Sequence, residues 1–388
     1  MLPVIEAAHK QGYYVITCDY LPDNVAHQYA DEYHNVSIID KESVLRLSKE
    51  LSIDGIMSFA VDPGVMTAAY VQEQMGLPAF GPYESVCILQ NKDYFRSFLA
   101  EHDFNVPKAK GFSSLDEALA DKDWYPWPCI VKPTDSAGSK GVMRVDTLEE
   151  LERALRYAFE HSLSKRVIVE EFIEKQGCSS DSDCFSLNGK LKFISFSAQR
   201  FDENAVGPYV PSAYSWPSSM NMQQETELTS EIQRLLSLLK MRTSIYNIET
   251  RVGMNGKPYI MEVSPRGGGN RLAEMLRFAT GMDLITASVR AAVGDEVGVI
   301  EQCTYDGHWA EIILHADKDG SFVGLDINSE YREKYVRQID LWVKENDKVL
   351  AFKGANNAIG TLVLQFDSKE ELEKALKYQN AWLQVKVN

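Results

Sequence analysis

The spacing of apolar residues in the first ninety positions alternates between helical and strand periods. Residues 2–11 (LPVIEAAHKQ) place apolar side chains on one helix face, and Gly12 ends that helix. Strands are expected at 13–19 (YYVITCD), around 36–40 (VSIID) and at 55–60 (GIMSFA). Between them lie a helix over 41–51 opened by Asp40 and one from about 64 to 75 ended by Gly76. Strands alternating with helices at this spacing predict a parallel α/β sheet. Such a unit normally opens on a buried strand and a Gly-rich turn, whereas this chain opens on a helix. Either the opening strand lies outside this sequence or the sheet is one strand smaller.

The pattern changes near residue 90. NKDYFRSFLAEHDF reads as a helix and VPKAKGF as a short strand entry. Ser114 with Glu117, and Thr147 with Glu150, are capping boxes for two helices, the second running to about 161. CIVKP (129–133), residues 142–145 and RVIVEEFI (166–173) are strands, the first two joined by a Gly/Ser loop. Hairpins turn at Asn188-Gly189 and at Asn255-Gly256. Residues 202–221, rich in Pro, Ser and Asn, read as a long loop. Beyond about 300 a mixed β/α module carries strands near 308–316, 338–344 and 358–366 and a last helix near 368–380.

Composition narrows the class. At 388 residues, 45% hydrophobic and 25% charged, the chain is globular and large enough for two or three domains. Its 56 acidic and 40 basic residues leave a net charge of -16, which argues against general nucleic-acid binding. There is no apolar run of membrane-spanning length and no basic leader, so a cytoplasmic protein is expected. Six scattered cysteines without a CxxC pair read as reduced thiols. The histidines show no metal spacing.

Three stretches carry chemistry. In the hairpin 245–264 (IYNIETRVGMNGKPYIMEVS), a two-residue turn at Asn255-Gly256 makes paired positions sum to 511. Glu249 then faces Glu262, Asn247 faces Ser264, and Arg251 and Ile260 complete that face; Ile248, Thr250, Val252, Val263, Met261 and Tyr259 form the core face. Two carboxylates directly opposite repel unless a hard cation joins them; a solvated face offset by Arg251 and Lys257 is the alternative. PRGGGNR (265–271) then leads into a helix. It reads as an anion site of backbone N–H groups with the Arg266 fork, or as a turn using Gly for its dihedrals. In CIVKPTDSAGSKGV (129–142) a strand ends on Lys132, suited to phosphate, before a loop of small residues; an ordinary surface turn is the alternative. Neither GxxxxGK[ST] nor GxGxxG is present.

In order along the chain, NKDYFR, PCIVKPTDSAGSKGV, VIVEEFI, YNIETRV and YIMEVSPRGGGN resemble the ATP-grasp superfamily. The resemblance is to its carboxylate–amine ligase branch, which includes carbamoyl-phosphate-synthase-like and L-amino-acid-ligase-like proteins. It covers about 1–300 and is strongest over 89–282. It implies α/β and α+β architecture in three parts. These are a parallel α/β pre-grasp domain over 1–88 lacking its first strand, an ATP-grasp domain of two α+β subdomains over 89–299 with a small lid at about 107–172, and a C-terminal β/α module over 300–388.

The resemblance further implies ATP and Mg²⁺ (or Mn²⁺) as cofactors. Lys92 and Lys132 would bind the phosphates under the loop Ser136, Ala137, Gly138, Ser139 and Gly141. Glu170, Glu171, Phe172 and Ile173 would be the hinge strand that reads adenine. Glu249, Glu262 and Ser264 would hold metal, with Ser264 standing where the family motif Glu-x-Asn has Asn. Arg266, Lys132 and Asn270 would be catalytic. Gly177 stands near the family's ribose-contacting acid, with Asp181 or Asp183 as candidates for that contact. The implied reaction activates a carboxylate as an acylphosphate, with ADP and phosphate as products, and joins it to an amine. A bicarbonate-using relative and a non-catalytic ATP binder are the alternatives. The partners are small acids and amines, with neither nucleic acid nor membrane, and a homodimer is an assembly open to it. Arg200, Tyr209, Tyr214 and Trp216, with the turn Gly267–Arg271, are candidate selectors of the acid and amine.

Overall fold

The structure, a computed structural model, describes residues 2–135, 140–207 and 210–388. Its N-terminal part carries the helices Leu2–Lys10, Lys41–Leu51 and Asp62–Met75. Asp40 accepts from the Ser43 N–H, and Gly76 closes the third helix at φ 66. The sheet here is a parallel pair, Ile16–Cys18 with Glu32–His34. Two expected strands are therefore corrected. Residues 36–40 close a turn, the Asp40 N–H donating to the Ser37 carbonyl, because Asp40 is used as a helix cap. Residues 55–60 join no ladder. The Ile56 carbonyl accepts from the Gln72 side chain, and Ala60 at φ 56 breaks the extended run.

The segment expected to form the lid is an antiparallel sheet in the order Ala109–Phe112, Val167–Glu171, Cys129–Pro133, Met143–Val145. Helices Leu115–Ala120 and Leu148–His161 pack on it over Phe112, Val131, Val145, Leu151, Leu155, Val167 and Val169, all buried. The first capping box is half formed, and the second makes neither of its two bonds. Ser114 caps the Glu117 N–H, but Glu117 takes the Ser113 N–H; Thr147 makes no side-chain cap, and Glu150 takes the Asp146 N–H. In each case the glutamate reaches one residue beyond the cap.

A second sheet runs Pro258–Ser264, Ser244–Val252, Ser180–Leu187, Lys190–Ile194, with helix Met222–Leu238 packed on its apolar face. The turn at Asn188-Gly189 has both residues at positive φ (51 and 77), as a two-residue hairpin requires. A third sheet runs Val336–Leu341, Ala358–Phe366, His308–His315, Pro211–Trp216, Ala198–Phe201, drawing strands from both sides of residue 300. The long loop expected over 202–221 therefore contains a strand. Its Ser/Pro composition conceals it, because Ser212 and Ser215 are buried by tertiary packing beside Ala213, Tyr214 and Trp216. Strands Gly320–Ile327 and Leu383–Val387, also unanticipated, pair with each other. Among the described residues no helix is long and apolar enough to cross a membrane, and all six cysteines are unpaired.

Candidate active site

The hairpin 245–264 has the expected carboxylate pair for a different reason. Its turn is a three-residue loop, 254–256, closed by Gly256 at φ 76, so Val252 faces Pro258 and Thr250 faces Ile260. A bulge at Met261 then adds one residue to the second strand. The two shifts cancel, and Glu249 lies opposite Glu262, with Asn247 opposite Ser264. The face assignment of Ile260 is corrected: it pairs with buried Thr250 and belongs to the core.

The neighbouring strand extends this face. Asp181 pairs with Glu249 and Asp183 with Asn247, so Glu262, Glu249 and Asp181 form one row across three strands. Burial, with the Glu262 charge beside it, raises the pKa of Glu249. Burial pushes Asp181 up to about 7, with Glu249 adding to the effect. Asp183 is likewise pushed up to about 7 by burial and by Asp181. Asn247 Nδ2 donates to Asp181 Oδ1 (2.7 Å) and to Asp183 Oδ1 (3.2 Å), and the Tyr214 hydroxyl donates to Asp181 Oδ2 (3.2 Å). Asp183 Oδ2 is buried without a hydrogen-bond partner. Asp181 belongs to this acidic row, and Asp183 stands beside it in the row of Asn247 and Ser264.

The Gly-rich turn serves the protein's own anions. The Gly268 N–H donates to Asp183 Oδ1 (2.8 Å), and a Cβ at Gly268 would meet Asp183 and Asn247 within 3 Å. A Cβ at Gly267 would strike the Phe59 ring at 2.3 Å. Arg266 is 8% exposed, and its fork is engaged: Nε and Nη2 donate to the two oxygens of Asp62, each at 2.8 Å, and Nη1 donates to Asn247 Oδ1. Burial alone would raise the Asp62 pKa, but Arg266 and Ser264 outweigh it and hold it low. Ser264 lies behind this pair, donating to Asp62 (3.0 Å) and accepting from Gln90 (2.8 Å). Asn270, at φ 49, directs its amide toward the Tyr214 hydroxyl (3.4 Å).

The lid contributes the opposite charge. Lys132 and Glu170 emerge on the face of the lid sheet turned away from its helices, with Lys132 Nζ 2.7 Å from Glu170 Oε2. Arg96 Nε lies 3.0 Å from Glu170 Oε1. Burial would raise the Glu170 pKa, yet Arg96 and Lys132 hold it at about 2. Burial and the other cations lower the Lys132 pKa, against Glu170, which raises it. Lys92, at the start of helix Lys92–Glu101, lies 3.4 Å from Glu262 and bridges the two charge zones. Just past strand Val167–Glu171, Arg251 donates to the Ile173 carbonyl, and the guanidiniums of Arg144 and Arg251 flank the Phe172 ring. The N–H groups of Glu171 and Phe172 donate to the Lys108 and Pro128 carbonyls. Gly141, at φ 75, packs so closely on Pro133 and His161 that a Cβ would overlap both. Ser136, Ala137, Gly138, Ser139 and Tyr209 lie outside the described residues.

Sequence reasoning missed Asp62 and Arg96. Arg96 follows Lys92 by four residues and so shares its helix face, a signal present within NKDYFR. Asp62 precedes Arg266 by 204 positions, and no local pattern joins them.

Residues 125–274 match the model of the ATP-grasp domain. The carbamoyl phosphate synthase large chain of Thermotoga neapolitana is 25% identical over 293 residues, 74% of this chain and 26% of its own length. This chain thus spans about a quarter of that relative. The phosphoribosylamine–glycine ligase of Leptospira interrogans is 24% identical over 365 residues, 88% of this chain and 83% of the ligase. Among solved structures, an L-amino acid ligase from Bacillus licheniformis superposes with a TM-score of 0.80 at 22% identity, covering 99% of this chain and 95% of that one. Residues 125–274 thus match the ATP-grasp domain, and the chain is similar over most of its length to the phosphoribosylamine–glycine ligase and, in fold, to the L-amino acid ligase.

Proposed function

We propose that the chain activates a small-molecule carboxylate with ATP, releasing ADP, and transfers the acyl group from phosphate to an amine. The observation that carries this reading is the separation of charge across one site. Three carboxylates in a row (Glu262, Glu249, Asp181) stand opposite a cluster of Lys92, Lys132 and Arg96. The carboxylate row has the donor chemistry of a hard divalent cation, all oxygen, with an orphaned Asp183 oxygen beside it. Glu249 and Glu262 are the residues to hold Mg²⁺ or Mn²⁺, which when bound supplies charge neutralisation for the nucleotide phosphates.

The remaining work belongs to the chain's own groups. Lys92 and Lys132 present cations to the phosphates, and strand 170–173 borders the adenine side. Glu170 orients Lys132 and Arg96. Asp62 fixes the Arg266 guanidinium, which acts on the transferring phosphoryl when an anionic ligand shares its fork. Ser264, with its hydroxyl held by Asp62 and Gln90, supports that pair from behind. Asn270 and Tyr214 border the acceptor side. Nucleotide chromatography after turnover tests the mechanism: ADP with phosphate supports it, and AMP with pyrophosphate would end it. Measuring ligand-dependent ADP release over amino acids, other small acids and bicarbonate then selects the acid.

A further inference from the structure

Away from this site, three metal-capable side chains meet where strand Ala198–Phe201 ends beside the end of strand His308–His315. A ring nitrogen of His315 and carboxylate oxygens of Asp202 and Asp317 lie within 4.8 Å of one another. We propose that they bind a borderline divalent transition-metal ion of the Zn²⁺ type, which clamps the segment after Phe201 to the five-stranded sheet.

The imidazole is already oriented as a ligand. Its side chain is 8% exposed and stacks on Phe352, ring centroids 4.2 Å apart at 17°. Nδ1 lies 2.7 Å from the Ile313 carbonyl, which only accepts, so Nδ1 carries a proton and, in the neutral ring, Nε2 presents its lone pair. This is the supporting contact that metal-binding histidines use. Nε2 faces Asp202 Oδ2 at 3.4 Å. In the neutral ring the two facing acceptors repel unless a cation lies between them. The distance exceeds the ~2.7–2.9 Å of a charge-assisted hydrogen bond. Tetrahedral Zn²⁺ with bonds of about 2.0–2.1 Å would set adjacent ligand atoms roughly 3.3–3.4 Å apart.

Asp202 is aimed from outside the trio, since its Oδ1 accepts from the Asn204 N–H at 2.9 Å. Asp317 is exposed, so its carboxylate can close by side-chain rotation. Two carboxylates and a neutral imidazole balance a divalent charge. The nitrogen ligand favours Zn²⁺ over Mg²⁺ or Ca²⁺. The segment behind Asp202 is fastened to the same place, the Gly207 N–H donating to the carbonyl of Phe352 (2.9 Å). A bound ion would thus tie residues 202–207 to the sheet that carries Tyr214. The rival reading is an imidazolium–Asp202 ion pair, which needs no metal.

The test uses the full chain, stripped of metal and carrying Glu249→Gln and Glu262→Gln so that the other carboxylate pair does not compete. Zn²⁺ is titrated by calorimetry and Co²⁺ by visible absorption. One equivalent of each, with the intense spectrum of tetrahedral Co²⁺, is expected. His315→Ala should weaken Zn²⁺ binding by more than the roughly 10–100-fold lost with a merely supporting contact. Asp317→Asn, an exposed change that leaves folding intact, should weaken it in the same direction. Absence of a stoichiometric site, an octahedral Co²⁺ spectrum, or binding unaltered by either substitution would overturn the proposal.

Discussion

Two buried carboxylate groups in this molecule have opposite fates. Glu170 sits between two cations and is held ionised down to a pKa of about 2. Asp181 and Asp183 sit among other acids and are pushed up to about 7. Burial acts the same way on all three, raising the pKa. The sign of the result is set by the neighbours: Lys132 of the lid and Arg96 of helix Lys92–Glu101 for Glu170, and Glu249 and Asp181 for the aspartates. The lid therefore has cationic charge to offer an anion such as a phosphate, and the acidic row has anionic charge to offer a metal ion.

The strongest way to break this comparison is to remove a charge from the acidic row. Glu262→Gln should lower ATP turnover by about a thousandfold or more, the several kcal/mol that metal-ion charge stabilisation supplies. The fold should remain, because Glu262 lies on the polar face at 36% exposure and its loss relieves repulsion with Glu249. Steady-state ADP release together with thermal denaturation checks both halves. Retained turnover at saturating Mg²⁺ would reduce the row to a surface feature.

The matching change in the lid acts on stability. Glu170→Gln leaves Arg96 and Lys132 buried without their anion, and denaturant unfolding should show a loss of about 3–5 kcal/mol. Lys132→Met should cost less, because Arg96 still pairs with Glu170. A reversed order would mean that Lys132, not Glu170, holds the lid together.

The pH dependence separates the regions next. The folded state keeps protons on Asp181 and Asp183 that the unfolded chain releases near the ordinary aspartate value of 3.8. Their contribution is thus neutral below that value and increasingly destabilising as pH rises toward about 7. Metal-free protein should gain stability from Asp181→Asn at pH 7.5 and gain little at pH 4. Glu170 behaves oppositely: its stabilisation is complete above the ordinary glutamate value of 4.5 and is lost as pH falls toward about 2. Unfolding free energies of wild type, Asp181→Asn and Glu170→Gln across pH 3–8 should show two trends of opposite slope.

The smallest expected effect is at Ser264. Ser264→Ala removes two hydrogen bonds, to Asp62 and from Gln90, at a cost of about 1–2 kcal/mol. The Mg²⁺ concentration for half-maximal activity should hardly move, because the hydroxyl is turned to Asp62. A large rise in that concentration would place Ser264 among the metal ligands.

Local sequence rules reached far into this site. Strand alternation placed Glu249 and Glu262 on one face, and the Asn188-Gly189 turn formed as its residues require. The pairing of Glu249 with Glu262 survived only because the three-residue turn and the Met261 bulge each shift the register by one, in opposite directions. Strand 211–216 escaped detection because hydroxyl side chains are buried there by neighbouring sheets and not by their own hydropathy.

Local pattern in the chain settled helix caps at Asp40 and Gly76, the strand Cys129–Pro133 that carries Lys132, and the carboxylate face of the hairpin. Tertiary structure decided which groups answer each other. It brought Asp62 to Arg266 across 204 positions, filling a fork that local reasoning left open for phosphate. It laid Asp181 and Asp183 beside Glu249 and Asn247, and it closed Arg96 onto Glu170. The physical reason is range. Capping and side-chain alternation are settled within a few residues of chain. Charge pairing and burial depend on which strands become neighbours, and that choice belongs to the packing of the whole chain.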